Sequence, residues 1–302
     1  MSETQMPLGR QSPPVSGRRP EVLYPIPRAD ARCRLGIADQ ALPFKGEDRW
    51  TGYELSWLDL SGKPQVGGLH LRLPCTSPNT VESKSLKLYL NGLAQLRFGQ
   101  SGELAEMLAT DLGAATGAEV RVRVSAVADL ALGQQALGWS QCAKPTMLKQ
   151  QPFGGEGLSP RSMRALPGRS LDGLSPARFE YQRNPALLQC ARPSEPVSET
   201  WHTDLFRSLC PVTGQPDWAS ILVSYTGPPI VAESLLAYLV SFREHACFHE
   251  DAVERIYMDI QQRCRPARLT VSGHFLRRGG LDINPYRSNE SGAAPQWRLP
   301  RQ

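Results

Sequence analysis

Alternating apolar and polar residues predict three strands in the first half of the chain, at 51–60, 69–73 and 119–124. Between the second and third strands, leucines recur every three or four positions, which predicts a helix over 83–98. A glycine-containing break follows, and a second helix is predicted from 101 to about 112. The first half therefore has the predicted order β-β-α-α-β.

The same order of elements recurs in the second half. Strand-like runs occupy 199–206, 218–225 and 268–275, and a helical segment occupies 233–242. A further helix lies before the last strand, with one apolar face formed by Val253, Ile256, Tyr257 and Ile260. This repetition predicts a duplicated α+β unit, in which each half is an antiparallel sheet with two helices on one face.

The regions outside these elements define the expected domain organisation. Residues 1–35 are rich in proline, arginine and serine, which is typical of a flexible or loosely docked arm. We expect a first unit at 36–190 and a second unit at 191–302. A Pro/Gly-rich interval near 140–175 is interpreted as a long loop of the first unit.

The composition is that of an ordinary globular protein, with 40% hydrophobic and 21% charged residues among 302. The 34 basic and 29 acidic residues give a net charge of +5, too small an excess to indicate nucleic-acid binding. Seven cysteines without a Cys-x-x-Cys pair favour free thiols in a reducing compartment. Because no run approaches about 18 apolar residues, we expect a cytoplasmic protein without a membrane span.

A proline-containing loop between two predicted strands, 208–218, carries the first candidate for chemistry. Pro211 and Pro216 stiffen this loop, which holds Cys210 and, seven residues later, Asp217. A thiol held beside a carboxylate can act as a nucleophile beside a proton carrier. The alternative is a cysteine buried for packing and an aspartate in a turn.

Two further stretches are suited to anions. In the first, 82–85, Ser83 is a candidate N-cap, and Lys84 lies beside helix amides that favour a phosphate, although ordinary capping explains the same residues. In the second, 277–288, Arg278 precedes two glycines, so that a guanidinium and the backbone can approach a phosphate together. A basic turn after the last strand explains this stretch equally well.

A fourth stretch, 248–251, begins a helix. Acidic residues in a first turn often serve the helix macrodipole. A carboxylate at Glu250 can also accept paired N–H donors from a guanine-like edge, and His249 can carry a proton. The spacing His245-x-Cys247-x-His249 lacks a clear fourth ligand, so no metal site is expected.

Taken in chain order, these stretches resemble the long, two-unit form of the QueF family. The matching residues are Glu82-Ser83-Lys84-Ser85-Leu86-Lys87-Leu88-Tyr89, Cys210-Pro211-Val212-Thr213-Gly214-Gln215-Pro216-Asp217-Trp218, Phe248-His249-Glu250 and Arg278-Gly279-Gly280-Leu281-Asp282-Ile283-Asn284-Pro285. The resemblance extends from about residue 40 to about residue 290 and is interrupted at the 140–170 loop. Members of this family are NADPH-dependent 7-cyano-7-deazaguanine reductases of queuosine biosynthesis.

The resemblance implies a fold and a reaction. Family members have the tunnelling fold, with two tandem units in one chain of the long form, and they form homodimers. Their reaction reduces the nitrile of 7-cyano-7-deazaguanine to the primary amine of 7-aminomethyl-7-deazaguanine, with two hydrides from two NADPH molecules.

The resemblance also implies roles for individual residues. Cys210 matches the family nucleophile, which forms a covalent thioimide with the nitrile, and Asp217 matches the proton donor. His249 matches a proton carrier in the substrate site, and Glu250 matches the residue that binds the aminopyrimidinone edge. The remaining matches are Val81, Glu82 and Ser83 for the substrate, and Ser83, Lys84, Arg278 and Gly279 for NADPH.

Two alternatives to the reductase remain at this point. One is another tunnelling-fold enzyme that acts on a purine or pterin, such as a cyclohydrolase, which would need a metal and its ligands. The other is an inactive purine-binding scaffold, which would need only Glu250. Leu209 and the Gly92-Leu93 pair depart from the family pattern, but neither belongs to the residues assigned chemistry.

Overall fold

The computed structural model of the protein describes residues 14–38, 41–132, 166–191, 195–291, 299 and 301–302. Most of the predicted loop at 140–175 therefore lies outside the described residues. The described strands are β1 Pro25–Pro27, β2 Lys45–Leu58, β3 Pro64–Pro74, β4 Asn79–Val81, β5 Arg121–Ala126, β6 Arg169–Ser170, β7 Val197–Leu209, β8 Pro216–Gly227, β9 Arg268–Phe275 and β10 Leu281–Ser288. The described α-helices are α1 Ala29–Cys33, α2 Ser83–Gly92, α3 Ser101–Thr116, α4 Ala232–Val240 and α5 His249–Cys264.

Eight of these strands form one sheet in the order β5-β3-β2-β10-β9-β8-β7-β6, and β1 pairs with β4 separately. Neighbouring strands are antiparallel except for the short β6–β7 pairing. The predicted α+β class and the repeated order β-β-α-α-β are confirmed, since β2, β3, α2, α3 and β5 are matched by β7, β8, α4, α5 and β9.

β10 was not predicted. The stretch 277–288 was expected either to approach a phosphate or to form a basic turn, without a strand, but only its first residues turn, and Leu281–Ser288 is a strand. β10 pairs with β2 from Leu281–Gly52 to Ser288–Lys45 and also pairs with β9. The two halves therefore share one continuous sheet, where two separate sheets were expected. The division into units at 190 and 191 stays a prediction.

Each half buries both of its helices against one face of this sheet, as predicted. In β3, alternate residues point to the helices, and Leu69 and Leu71 pack in one core with α2 and α3. In β8, Ile221 and Val223 do the same with α4 and α5. The apolar cluster of α5 contains the four residues that defined its predicted face, Val253, Ile256, Tyr257 and Ile260.

The helices of the first half end differently from the prediction. α2 stops at Gly92 because the chain tightens into a 3₁₀ turn and then extends, so that Leu96 accepts a hydrogen bond of 2.9 Å from the amide of Leu58. α3 continues to Thr116, beyond the predicted end, and closes at Gly117, whose φ of 72° is left-handed.

The segment that precedes the first unit packs against it from residue 14 onwards. β1 pairs with β4, and the amide of Gly17 donates to the carbonyl oxygen of Gly92. Arg18 binds Asp111 through two hydrogen bonds of 2.6 and 2.9 Å, and Arg28 is 5% exposed. The described part of the predicted arm is therefore docked through a strand pairing and buried side chains, and it contributes to the site described next.

Candidate active site

A pocket of about 680 Å³, measured with its open mouth, lies between the two halves of the chain. The first half and its N-terminal segment contribute Ile26, Thr80, Val81, Glu82, Ser83 and Lys87. The second half contributes Cys210, Asp217, Phe248, His249, Glu250 and Arg278. The pocket therefore collects eight of the ten residues expected to form a site, from segments far apart in sequence.

The β7–β8 hairpin holds Cys210 at its end. The amide of Cys210 donates to the carbonyl oxygen of Gln215 at 2.8 Å, and its carbonyl oxygen accepts from Gly214, whose φ is 65°. On the other side, the amide of Leu209 donates to the carbonyl oxygen of His245 at 2.9 Å, and the carbonyl oxygen of Leu209 accepts from the amide of Cys247 at 3.0 Å. The backbone of Cys210 is therefore held on both sides by backbone hydrogen bonds, and the residue is 5% exposed.

Asp217 belongs to β8 itself rather than to the loop, and it pairs with Ser208 across the hairpin. Its Oδ1 accepts a hydrogen bond of 2.5 Å from Nη1 of Arg278, and its Oδ2 lies 3.4 Å from Nε2 of His249. Burial raises the pKa of Asp217, but the hydrogen bonds and charges of His249 and Arg278 outweigh it and hold the pKa below its usual value. The resting carboxyl is ionised at neutral pH.

His249 and Glu250 form the first turn of α5, as predicted, with Phe248 as N-cap. The ring of His249 stacks on Phe275 with centroids 4.0 Å apart and planes 10° from parallel. Its Nδ1 is buried and has no hydrogen-bond partner among the described residues. The stacking fixes the ring plane, so that Nε2 stays directed toward Asp217.

Glu250 is buried, and its Oε1 accepts a hydrogen bond of 3.1 Å from Thr80 of β4. Burial and the nearby charge of Asp48 raise its pKa, and the charges of Arg28 and His249 act in the opposite direction. A buried carboxylate with spare acceptor positions in a pocket is suited to a ligand that presents paired N–H donors.

The start of α2 differs from the prediction. Glu82, not Ser83, is the N-cap, and its carboxylate accepts hydrogen bonds of 2.7 Å from the amides of Lys84 and Ser85. Ser83 is the first residue of the helix and lines the pocket with Val81. Because Glu82 is 1% exposed and occupied by two amides, its side chain is a rigid part of the pocket wall.

Two cationic side chains lie beside the acidic residues of the pocket. Arg278 is 39% exposed, and Lys87 lies one turn after Ser83 on α2. Burial and the charge of Arg278 lower the pKa of Lys87. Gly279 has a φ of 55°, and a Cβ there would lie 3.0 Å from Nζ of Lys87, so the glycine gives the ammonium room against the backbone.

Of the ten expected residues, Lys84 and Gly279 do not line the pocket. Lys87 was missed, although its spacing of four from Ser83 placed it on the same helix face. Thr80, in the middle of the three-residue strand β4, was also missed because it has no distinctive pattern, and Phe248 was part of a matching motif but was given no role. In the described part of the chain, no cluster of three or more His, Cys, Asp or Glu side chains is placed to hold a metal ion.

Comparison with known families identifies both halves of the chain. Residues 16–124 match the family model described as nitrile reductase, 7-cyano-7-deazaguanine-reductase N-term, and residues 216–294 match the model described as QueF-like protein. The two matches together include every residue of the pocket except Cys210, which lies just before the second match.

Three curated relatives are 43% identical to this chain, and each bears the name NADPH-dependent 7-cyano-7-deazaguanine reductase. The protein of Verminephrobacter eiseniae aligns over 96% of this chain and 95% of its own length, and those of Polaromonas sp. and Burkholderia vietnamiensis over 98% and 97%. Among solved structures, the apo archaeosine synthase QueF-Like covers 34% of this chain at 18% identity, with a TM-score of 0.28 that carries no weight. No described helix has the length and apolar content needed to span a membrane.

Proposed function

The chain belongs to the QueF family of nitrile reductases, and on this premise we propose that it reduces the nitrile of 7-cyano-7-deazaguanine to 7-aminomethyl-7-deazaguanine with NADPH. The observation that carries the proposal is the pocket between the halves, which places a thiol, a carboxylate, an imidazole and a buried glutamate around one cavity. In the proposed reaction the thiol is the nucleophile, the carboxylate and the imidazole carry protons, and the glutamate anchors the substrate.

Cys210 attacks the nitrile carbon and forms a carbon–sulfur bond, while one π bond of the nitrile becomes a nitrogen anion. This nitrogen takes up a proton, and the product is a covalent thioimide on Cys210. A soft thiolate is suited to this electrophilic carbon. The backbone bonds to Gln215 and His245 that fix the hairpin end support the assignment, because they leave the thiol little freedom to move.

Asp217 takes the proton of the Cys210 thiol and passes it to the nitrile nitrogen. This order follows from the lowered pKa, since a carboxyl that is ionised at rest must first receive a proton before it can donate one. His249 lies at 3.4 Å from Asp217 and assists the transfer. Arg278 donates to Oδ1, the other carboxylate oxygen of Asp217, and so fixes the orientation of this carboxyl group.

Glu250 anchors the aminopyrimidinone edge, whose two N–H groups match a carboxylate. Val81, Glu82 and Ser83 form the facing wall, in which Glu82 is immobilised by the α2 amides. This arrangement holds the ring at one end and places the nitrile toward Cys210.

The residues at the pocket also fit NADPH. Lys87 and Arg278 supply two cations for its phosphates. Gly279 lies beside them and leaves free the space that a Cβ would occupy next to Lys87. Ser83 and Lys84, at the first turn of α2, remain proposed contacts for the same cofactor. When bound, the cofactor supplies hydride, and two equivalents convert the nitrile carbon to the aminomethyl carbon.

The proposal extends to the assembly and the compartment of the protein. We propose a homodimer, supported by β5, which pairs only with β3 among the described strands and leaves one edge of the large sheet open. We also propose a cytoplasmic location, supported by the buried or half-buried thiols Cys75, Cys190, Cys210, Cys247 and Cys264, none in a disulfide among the described residues.

NADPH oxidation measured with 7-cyano-7-deazaguanine tests the reaction. We expect two NADPH oxidised for each aminomethyl product, with the product identified by mass spectrometry. Hydrolysis of GTP to a formylated or ring-opened product would favour the cyclohydrolase. Binding of the nitrile without any NADPH oxidation would favour the inactive scaffold.

A further inference from the structure

A buried network of charged side chains lies directly behind the substrate anchor. Arg28, from the segment before α1, donates to Oδ2 of Asp48 at 2.5 Å and to Oγ of Ser77 at 3.1 Å. Arg287 of β10 donates to the other oxygen of Asp48 at 2.8 Å. Asp48 and Arg287 are both 0% exposed, so these ion pairs are inaccessible to solvent.

The network continues into α5. Arg287 also donates to Oε1 of Glu254 at 3.0 and 2.8 Å, and Arg32 of α1 binds the same carboxylate at 2.8 and 3.0 Å. Glu254 lies one helical turn after Glu250 and therefore on the same side of α5. Four structural elements meet at this point: the N-terminal segment with α1, β2, β10 and the first two turns of α5.

The charges of the network balance only when Glu250 is included. Three guanidinium groups, on Arg28, Arg32 and Arg287, face two carboxylates, on Asp48 and Glu254, which leaves one positive charge. A small cavity lined by Arg28, Glu250 and Glu254 connects this cluster with the anchor. The unbalanced charge is thus adjacent to the buried carboxylate of Glu250, which accepts from Thr80 and makes no ion pair with the described residues.

We propose that Arg28 is a positioning residue for substrate recognition, which compensates the buried carboxylate of Glu250 and, through Asp48, Arg287 and Glu254, holds the first turn of α5 in place. The inference rests on the proposed role of Glu250 as the anchor of the aminopyrimidinone edge. It assigns to the N-terminal segment, which lies outside the residues that react, a part in selecting the substrate.

The charge on Glu250 determines its ability to bind this edge, because a protonated carboxyl accepts fewer N–H bonds. The groups that act on it are Asp48 of β2, Arg28 and its helix neighbour His249, with Thr80 of β4 as hydrogen-bond donor. Asp251 and Glu254 of α5 line the small cavity beside it. The charge of Arg28 lowers the pKa of Glu250, whereas burial and the charge of Asp48 raise it. Removal of the Arg28 charge therefore raises the pKa of Glu250 further. Substrate affinity then falls at neutral pH and recovers as the pH rises.

The test compares Arg28→Met with Arg28→Lys and with Arg18→Met. Arg18 belongs to the same segment and also binds a carboxylate, that of Asp111, but unlike Arg28 it does not line the small cavity beside Glu250. The dissociation constant of 7-cyano-7-deazaguanine is measured by calorimetry between about pH 6 and about pH 9, in a Cys210→Ala background in which no covalent adduct forms. The rate of adduct formation at saturating nitrile is measured without NADPH. An analogue that lacks the 2-amino group serves as a second ligand.

For Arg28→Met we expect affinity at pH 7 to fall on the order of 10- to 100-fold, with partial recovery at high pH and little change in the saturating adduct rate. The variant should also discriminate less between the nitrile and the analogue without the amino group. Arg28→Lys should recover part of the affinity, and Arg18→Met should match the wild type. Arg28→Met combined with Asp48→Asn, which removes the opposing charge, should recover affinity as well.

Equal affinities of Arg28→Met and Arg18→Met would overturn the inference. It is also overturned if Arg28→Met loses affinity equally at all pH values and for both ligands, because that pattern indicates general destabilisation. If Arg28→Met does not fold, Arg28→Lys and the double variant decide the same question through the pH profile. Failure of the wild-type protein to bind the nitrile would instead refute the proposed function.

Discussion

The β2–β3 and β7–β8 hairpins occupy corresponding places in the two halves, yet only the second ends at the pocket. Each carries a bulge about six residues before its end, at Gly52/Leu55 and at Thr203/Phe206. Leu58 and Leu209 each make a parallel bridge to the segment after the following 3₁₀ turn. The ends of β2 and β7 are thus bridged in the same way, and the residue that follows each of them differs.

In the first half that residue is Asp59, and in the second half it is Cys210. Asp59 is occupied by its own loop, where its Oδ1 accepts from the amides of Ser61 and Lys63 at 2.9 and 3.0 Å. Cys210 instead lines the pocket, opposite the start of α2. The two halves therefore contribute differently to the pocket: the second half supplies the proposed nucleophile and anchor, and the first half supplies the facing wall.

At the first helix of each half, it is the first half that contributes to the pocket and the second half that does not. α2 begins with a buried Glu82 that caps two amides and lines the pocket. α4 begins at Ala232 after Val231, which provides no side-chain cap, and Glu233 is exposed. The pocket is thus lined by the hairpin end of the second half and by the helix start of the first half, and it needs both.

The largest expected effect is that of Cys210→Ala. Without the thiol no carbon–sulfur bond can form, so turnover should fall by at least about 10³-fold. The hairpin backbone bonds do not involve the side chain, and the fold should be retained. NADPH oxidation measures the loss. Cys33→Ala, which changes an exposed thiol, is the control and should retain full activity.

Asp217→Asn should lower turnover by roughly 10² to 10⁴-fold, because the amide can neither take the thiol proton nor donate it to the nitrogen. Asp259→Asn is a matched control, since Asp259 also binds an arginine, Arg183, at 2.5 Å but outside the pocket. It should lower the melting temperature and leave the activity of the folded protein unchanged. Equal losses of turnover in the two variants would contradict the role of Asp217.

Glu82→Ala should lower the free energy of unfolding by about 1 kcal/mol, because two amides of α2 lose their cap. It should also weaken substrate binding, since the pocket wall loses its fixed position. Glu233→Ala changes the corresponding exposed residue of the second half, and its effect should stay within about 0.5 kcal/mol. Urea unfolding measures both. Similar destabilisation by the two substitutions would show that the helix starts are equivalent.

The smallest expected effect is that of Asp59→Cys, which places a thiol at the end of the first hairpin. No adduct with the nitrile should form there in a Cys210→Ala background, because Asp59 does not line the pocket. Only a small loss of stability is expected, from the loop hydrogen bonds of Ser61 and Lys63. Peptide mapping after incubation with the nitrile locates any adduct. Modification at position 59 would contradict the claim that only the second hairpin ends at the pocket.

The sequence predicted the repeated order of elements and five second-half residues that line the pocket, because apolar periodicity and short motifs are local. These residues are Cys210, Asp217, His249, Glu250 and Arg278. It failed at β10, where Asn284 and Pro285 are typical of turns, although pairing with β2 over-rides that preference. It also failed to identify Lys87, Thr80 and the network of Arg28, since nothing in the chain near these residues shows which distant carboxylates they approach.

The most direct test of the account is the intact mass of the protein after incubation with 7-cyano-7-deazaguanine in the absence of NADPH. We predict one substrate adduct per chain in the wild type and in Cys33→Ala, and no adduct in Cys210→Ala. An adduct that persists in Cys210→Ala would show that the nucleophile lies elsewhere. A wild-type protein that binds the nitrile but never forms an adduct would likewise contradict covalent catalysis at the second hairpin.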